Sequence, residues 1–565
     1  GSMSGFGQVA ITFVILGLIS GCSADSGNSG DGGVTGALTG FFRDEAVPSA
    51  VRRAPEPVTA LSTKVARVVK NDTVFFGVVA GDEPNSVQAA EKVLKSGGTA
   101  ADAATVLALS LTVTMPSAAS LGGGGVCLVH SPGDGKTEAL DFIAPAPERV
   151  DRRADRPAAV PALLRGVAAL HARYGAVDFR SHLGKAEQLA RFGHVVSRAS
   201  AKEFLLAASL LFTDPAARRV FARSDGHPYV EGDRLVQQDL ADFFTELRIE
   251  GVSNFYNGEI AEKFVRAAQA AGAGLTLSDM RGFTPRWRKP IQIAFRDLIL
   301  SFAPASAGAG VAASHMWRML ALNDRYRGVN ASEQMHLLAE AGKRAFGMRD
   351  QPSNGTDAAA AMQSYDSARA TTPNELTAKA HGISENPSQT SFVVVDLVGQ
   401  TVVCTLTNYN LFGTGRVAPG FGVVLAAAPG RGDRNALSLG GMIAANVEGQ
   451  DVRFAAAASG GATATTALMR VAADTLASEK TLERAMLGAR IHHSGAPDIT
   501  LIEQDVPDAI VARLVQKGHR IERALSLGRV NAAECPLGLG VGSEAAACFV
   551  FADPRGNGLA SEAER

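Results

Sequence analysis

The spacing of apolar positions changes several times along the chain, and each change marks an element. From Ser86 the segment SVQAAEKVLKSGG puts Val87, Ala90, Val93 and Leu94 on one helical face, and Gly97-Gly98 stop it. Thr99 opens a second helix, AADAATVLALSLTV, whose small side chains permit close packing and which ends before Pro116. Leu121-Gly122-Gly123-Gly124-Gly125 leads into a short strand at 126–130; no Gly-Lys-Ser/Thr follows, which excludes a phosphate-binding P-loop. Residues 159–350 read as largely helical. Residues 351–389 are rich in Ser, Asn, Pro, Thr and Ala, a long polar connection expected at the surface. At Thr390 the period becomes two: a strand at 391–396, a turn at Val398-Gly399 and a strand at 401–407 predict a hairpin. Another strand is expected at 422–427. Residues 454–458 run through Ser459-Gly460-Gly461 directly into a helix beginning near Thr463, and a strand at 548–552 closes the chain. There is no internal repeat. The pattern predicts a mixed α/β chain with one domain-scale seam just before Thr390.

Charge narrows the function classes. Fifty-five Lys and Arg balance fifty-six Asp and Glu, a formal charge of −1, so nucleic-acid or other polyanion binding has no compositional support. An apolar fraction of 46% suffices for a large core, and 20% charged residues argue against wholesale disorder. Sixty Gly with only two Trp and six Tyr point to close-packed Ala/Gly interfaces and many turns. Five cysteines in 565 residues make no disulfide framework. They show no CxxC spacing and no clustered His, so no zinc site is expected. No metal or cofactor is implied. Cys127 and Cys404 alternate with apolar neighbours and read as small buried side chains; whether Cys535 and Cys548 pair stays open.

The N-terminus speaks to location. Gly1-Ser2 before Met3 has the look of an expression scar. Residues 9–20 (VAITFVILGLIS) form an apolar run of twelve, shorter than the ~20 residues that span a bilayer and the length of a signal-peptide hydrophobic region. The run ends in Ile19-Ser20-Gly21-Cys22, which resembles the bacterial lipobox, although residues 1–24 contain no Lys or Arg. A Gly/Ser/Asp-rich tether follows. The expectation is an exported protein, lipidated at Cys22 and held on the periplasmic side of a bacterial envelope by that anchor alone; a tail with a stray Cys is the alternative.

Six segments in order carry a family resemblance: SGGTAADAA (96–104), SLGGGG (120–125), VVVD with FGTGRVAP (393–419), ASGGATATTA (458–467), ARIHH with PD (489–498) and ADPRGNG (552–558). Together they resemble the γ-glutamyltranspeptidase family of N-terminal-nucleophile hydrolases, over roughly residues 70–560. The resemblance implies a four-layer αββα sandwich, made as one precursor that cleaves itself into a heterodimer of large and small subunits. On that basis residues 1–22 are scar and signal peptide, 23–69 tether, 70–389 the large-subunit region and 390–565 the small-subunit region. The implied scissile bond is Gln389–Thr390. Once freed, a Thr with an α-amine of reference pKa ≈ 7.7–8 can activate its own hydroxyl. The resemblance also assigns Gly460 and Gly461 as oxyanion donors and Thr407 as support for the nucleophile. It leaves Asn408 or Asn410 to replace an asparagine that falls on Tyr409, and makes His492-His493 structural.

Four departures redirect the reading. The arginine expected in an Asp-Phe-Arg segment is Ile143, after Asp141-Phe142; paired serines fall on Gly440-Gly441; and an acidic pair falls on Gly430-Arg431, with Asp433 able to serve only after a shift. Each change removes a contact to the head group of a γ-glutamyl substrate. The fourth touches catalysis. Thr390 to Asp396 is one step shorter than in the family, so an ungapped alignment puts Gln389 at the nucleophile position unless the strand start absorbs the difference. The expected function is an amide hydrolase or acyltransferase with a Thr390 nucleophile, acting on a small-molecule or peptide amide with a non-standard acyl group. Two alternatives remain: an uncleaved, inactive envelope lipoprotein that binds or scaffolds, and a true γ-glutamyl transferase with a pocket rebuilt from Arg431 and Asp433.

Overall fold

A computed structural model of the chain describes residues 69–70, 73–149, 151–347, 388–430, 438–495, 497–543 and 547–564. The first two helices form as their patterns require. The Pro84–Lys95 helix starts with Pro at its first position, and the Glu83 carboxylate caps it by accepting from Asn85 and Ser86 N–H. The Ala100–Thr114 helix is held by a capping box between Thr99 and Asp102 and is buried along its whole length.

Two sheets build the centre. The first runs in the order Val69–Lys70, Thr73–Gly81, Gln389–Asp396, Thr401–Thr407, Gly124–Ser131, Lys136–Phe142, Arg286–Arg288, with Leu559–Glu564 also paired to Thr73–Gly81. The second runs Phe549–Phe551, Arg529–Leu539, Val452–Ser459, Gly441–Asn446, Leu298–Phe302, Ile291–Phe295. Strand alternation sorts their side chains. Val393 and Val395, with Val78, Ala80 and Val403, meet Ile443, Ala455 and Ala457 of the second sheet in a core between the sheets. Phe392 and Val394 point the other way, into a core with the Pro84–Lys95 and Ala100–Thr114 helices. The outer face of the second sheet packs on the Ala309–Ala321, Ala331–Gly347 and Ala462–Ala472 helices. The layers are helix, sheet, sheet, helix: the αββα sandwich.

The expected hairpin is present, with Gln389–Asp396 antiparallel to Thr401–Thr407. Four expectations need correcting. Residues 286–302 are strands, not helix, because Ile291–Phe295 and Leu298–Phe302 turn back on each other about Arg296 and Asp297. In 422–427 only Val423–Val424 forms a strand, and the end of the chain adds the unexpected Leu559–Glu564. The compositional seam before Thr390 is no boundary in the fold: Gln389–Asp396 lies inside the first sheet, between Thr73–Gly81 and Thr401–Thr407. Cys127 and Cys404 are not separate thiols. They stand opposite each other on adjacent strands and form a disulfide, as do Cys535 and Cys548.

Candidate active site

The site forms where the Val452–Ser459 strand gives way to the Ala462–Ala472 helix. Gly460 has φ 129° and Gly461 φ 74°, values that favour glycine, and Gly461 directly precedes the helix. Both N–H groups converge on one acceptor, the side-chain Oε1 of Gln389, at 3.2 and 2.9 Å. The other end of that carboxamide donates from Nε2 to Ser438 Oγ at 2.6 Å. A buried primary amide is thus seated on two adjacent backbone donors, the arrangement that stabilises an oxyanion during acyl transfer.

Thr390 lies one residue on, so its side chain leaves the opposite face of the strand. Its hydroxyl donates to Asp82 Oδ2 at 3.2 Å. The same oxygen accepts from Ser391 N–H at 3.1 Å and from the Ser459 hydroxyl at 2.9 Å. Ser459 immediately precedes the two glycines, so Asp82 joins Thr390 to the start of the donor loop. Asn531 Nδ2 fixes this carboxylate from the second sheet, donating to Asp82 Oδ1 at 3.0 Å and to Ser391 O and Oγ. Arg529 Nη2 donates to the backbone carbonyl of Gln389 at 3.2 Å, with its Nε 4.0 Å from Asp82 Oδ2. Gln389, Thr390 and Asp82 are all buried.

Nearby, Glu203 hydrogen-bonds to the Ser117 hydroxyl. Burial pushes the Glu203 carboxyl up to about 7, while the Arg529 guanidinium pulls it down and Asp82 raises it.

Other residues singled out in the sequence take varied places. Thr407 pairs across the hairpin with Gln389, and its hydroxyl donates to Ser388 O at 3.1 Å and accepts from Tyr409 N–H at 2.9 Å. The structure therefore brings Thr407 to the residue before Gln389 and not to the Thr390 hydroxyl. Asn408 is turned to Pro116 O, and exposed Asn410 lines a separate cavity of about 440 Å³ with Asp155, Arg156 and Thr414. Gly440 and Gly441 line a narrow space beside Ser438. A Cβ on Gly441 would lie 2.6 Å from Ala456 O and one on Gly440 2.8 Å from Ala303 Cβ, so close packing accounts for both glycines. Ile143 packs against Val126, Ala303, Ala307 and Leu439. His492 bonds to Thr466 and His493 to Asp498. Cys22, Arg431 and Asp433 lie outside the described residues.

Asp82, Ser438, Ser459, Arg529 and Asn531 were not singled out in the sequence. Asp82 carries one signal, a carboxylate directly after an apolar strand, but that position reads as an ordinary helix start. Arg529 and Asn531 reach the site only through strand pairing of Arg529–Leu539 with Val452–Ser459.

This sandwich, with two glycine N–H groups at a strand–helix junction of the second sheet and the hairpin inside the first sheet, defines an N-terminal-nucleophile hydrolase fold. The chain matches the profile of the family described as Gamma-glutamyltranspeptidase over residues 86–431 and 432–562, and it belongs to that family. It is 25% identical over 504 residues to a glutathione hydrolase proenzyme of Escherichia coli, covering 80% of this chain and 87% of that protein. It is 25% identical over 524 residues to an acylase ACY 1 proenzyme of a Pseudomonas species, covering 83% and 91%. Among solved structures, cephalosporin acylase from Bacillus halodurans has the same fold, with TM-score 0.74 at 22% identity over 87% of this chain and 97% of that one.

Proposed function

We propose that the chain is a self-processing amide hydrolase or acyltransferase that cleaves its Gln389–Thr390 bond and then uses Thr390 as an N-terminal nucleophile. The carrying observation is the Gln389 carboxamide on the Gly460 and Gly461 N–H groups. The group bound there is an amide, the functional group a substrate would present. Cleavage after Gln389 would release this internal amide, vacate both donors and leave the Thr390 amine beside its own hydroxyl. The acyl specificity is read as non-γ-glutamyl, because apolar Ile143 and the tightly packed Gly440-Gly441 replace head-group ligands. The relatives' names support the reaction class, since they include hydrolases and an acylase described as proenzymes. Incubating the purified chain with a panel of acyl anilides tests it: hydrolysis by the wild type and none by Thr390→Ala is expected, and equal rates would overturn it.

A second reading rests on the same strand register. Gln389, not Thr390, faces the donors, and Thr407 contacts the Ser388 carbonyl. In an uncleaved, non-catalytic member Gln389 would fill the hole permanently. A purified chain that never splits and hydrolyses no anilide would favour it.

For location, we retain export and lipidation at Cys22. Disulfides persist in oxidising compartments, and two are present here. Among the described residues no helix is long and apolar enough to cross a membrane. Radiolabelled palmitate should enter the wild type and not Cys22→Ser; equal labelling would exclude this anchor.

A further inference from the structure

We infer that Asp82 and Arg529 are the catalytic pair for self-cleavage: Asp82 takes the Thr390 hydroxyl proton while Arg529 holds the Gln389 carbonyl. This rests on the proposed cleavage at Gln389–Thr390 and assigns its chemistry. A buried carboxylate oxygen accepts the hydrogen bond of the attacking hydroxyl at 3.2 Å. A guanidinium donates to the carbonyl under attack at 3.2 Å. The Gly460 and Gly461 donors cannot serve that carbonyl, because they hold the Gln389 side chain.

The bonds balance as follows. Thr390 Oγ adds to the Gln389 carbonyl carbon, and its proton passes to Asp82 Oδ2. Negative charge develops on the Gln389 carbonyl oxygen against Arg529, whose charge needs no reorganisation to receive it. The C–N bond then breaks, the proton moves from Asp82 to the Thr390 nitrogen, and an ester joins the Gln389 acyl group to Thr390 Oγ. Water hydrolyses that ester, giving a Gln389 carboxylate, a free Thr390 hydroxyl and a free α-amine.

The Asn531 amide and Ser459 hydroxyl orient Asp82, so its isosteric amide can keep much of the same network. The opposite end of the hydroxyl–carbonyl couple is held by Arg529, which shares its strand with Asn531 and brings its Nε to 4.0 Å from Asp82 Oδ2. Asp82→Asn removes the proton acceptor and Arg529→Gln the carbonyl donor, so each substitution tests one half of the pair.

The experiment follows conversion of purified full-length precursor to fragments by intact mass after reduction, for wild type, Asp82→Asn, Arg529→Gln and Thr390→Ala, with thermal denaturation to verify folding. General-base loss predicts cleavage slowed by about 10²-fold or more in Asp82→Asn. Loss of the oxyanion donor predicts a slowing of about 10²-fold in Arg529→Gln. If Asp82→Asn fails to fold, Arg529→Gln decides. Cleavage at wild-type rate in the folded variants, with Thr390→Ala inert, overturns the Asp82–Arg529 assignment alone. A wild type that never cleaves overturns the functional reading and this assignment with it.

Discussion

Gln389 and Thr390 are neighbours in the chain but project from opposite faces of one strand, and that alternation governs the site. Gln389 fills the glycine donors and Thr390 meets Asp82. Gly461 combines φ 74° with ψ −135°, a region nearly closed to other residues. Gly461→Ala should destabilise the chain by about 1–3 kcal/mol and displace the N–H. Amide hydrolysis should fall roughly 10²-fold, measured with the anilide that the wild type turns over best. Glu203 gives a pH signature. Its carboxyl is raised from 4.5 to about 7 by burial, so the folded chain favours the protonated form. That stabilisation is complete below the unfolded value and is lost as pH rises through about 7. Relative to Glu203→Gln, the wild type should lose about 2–3 kcal/mol of stability between pH 5 and 8. Parallel stability profiles for the two proteins would contradict this.

At the scale of elements, the hairpin and the strand–Gly-Gly–helix junction were legible because each rests on local signals: alternation about a Val-Gly turn, and glycine between two periodic segments. The Gln389 position was legible as an ambiguity, since counting to Asp396 left the register open by one residue. Strand pairing of Gln389 with Thr407 sets it in the structure. The strands at 286–302 were missed because short apolar runs do not separate helix from strand by period. The Cys127–Cys404 bond was missed for another reason: the partners are 277 residues apart, and only sheet order makes them neighbours. Removing both thiols should lower stability by about 2–4 kcal/mol, read from denaturant unfolding of Cys127→Ala/Cys404→Ala. An unchanged midpoint would mean the bond is not formed. Asp82 follows a strand near the start of the chain, whereas Arg529 and Asn531 share one strand near its end, so nothing local could have grouped them.

For the whole molecule, the sheets interleave residues from both sides of Thr390, so a cleaved chain would remain one sandwich. The disulfide makes this visible, since Cys127 precedes and Cys404 follows the proposed break. Cleaved protein should run as one species on a non-reducing denaturing gel and as two after reduction. Separation without reductant would contradict either the bond or its pairing. The most direct measurement of the central claim is intact mass combined with N-terminal sequencing of the purified, reduced wild-type chain over prolonged incubation. A fragment covering residues 390–565 that begins with Thr390 and is absent from Thr390→Ala is expected. A single uncleaved chain in both proteins would contradict it.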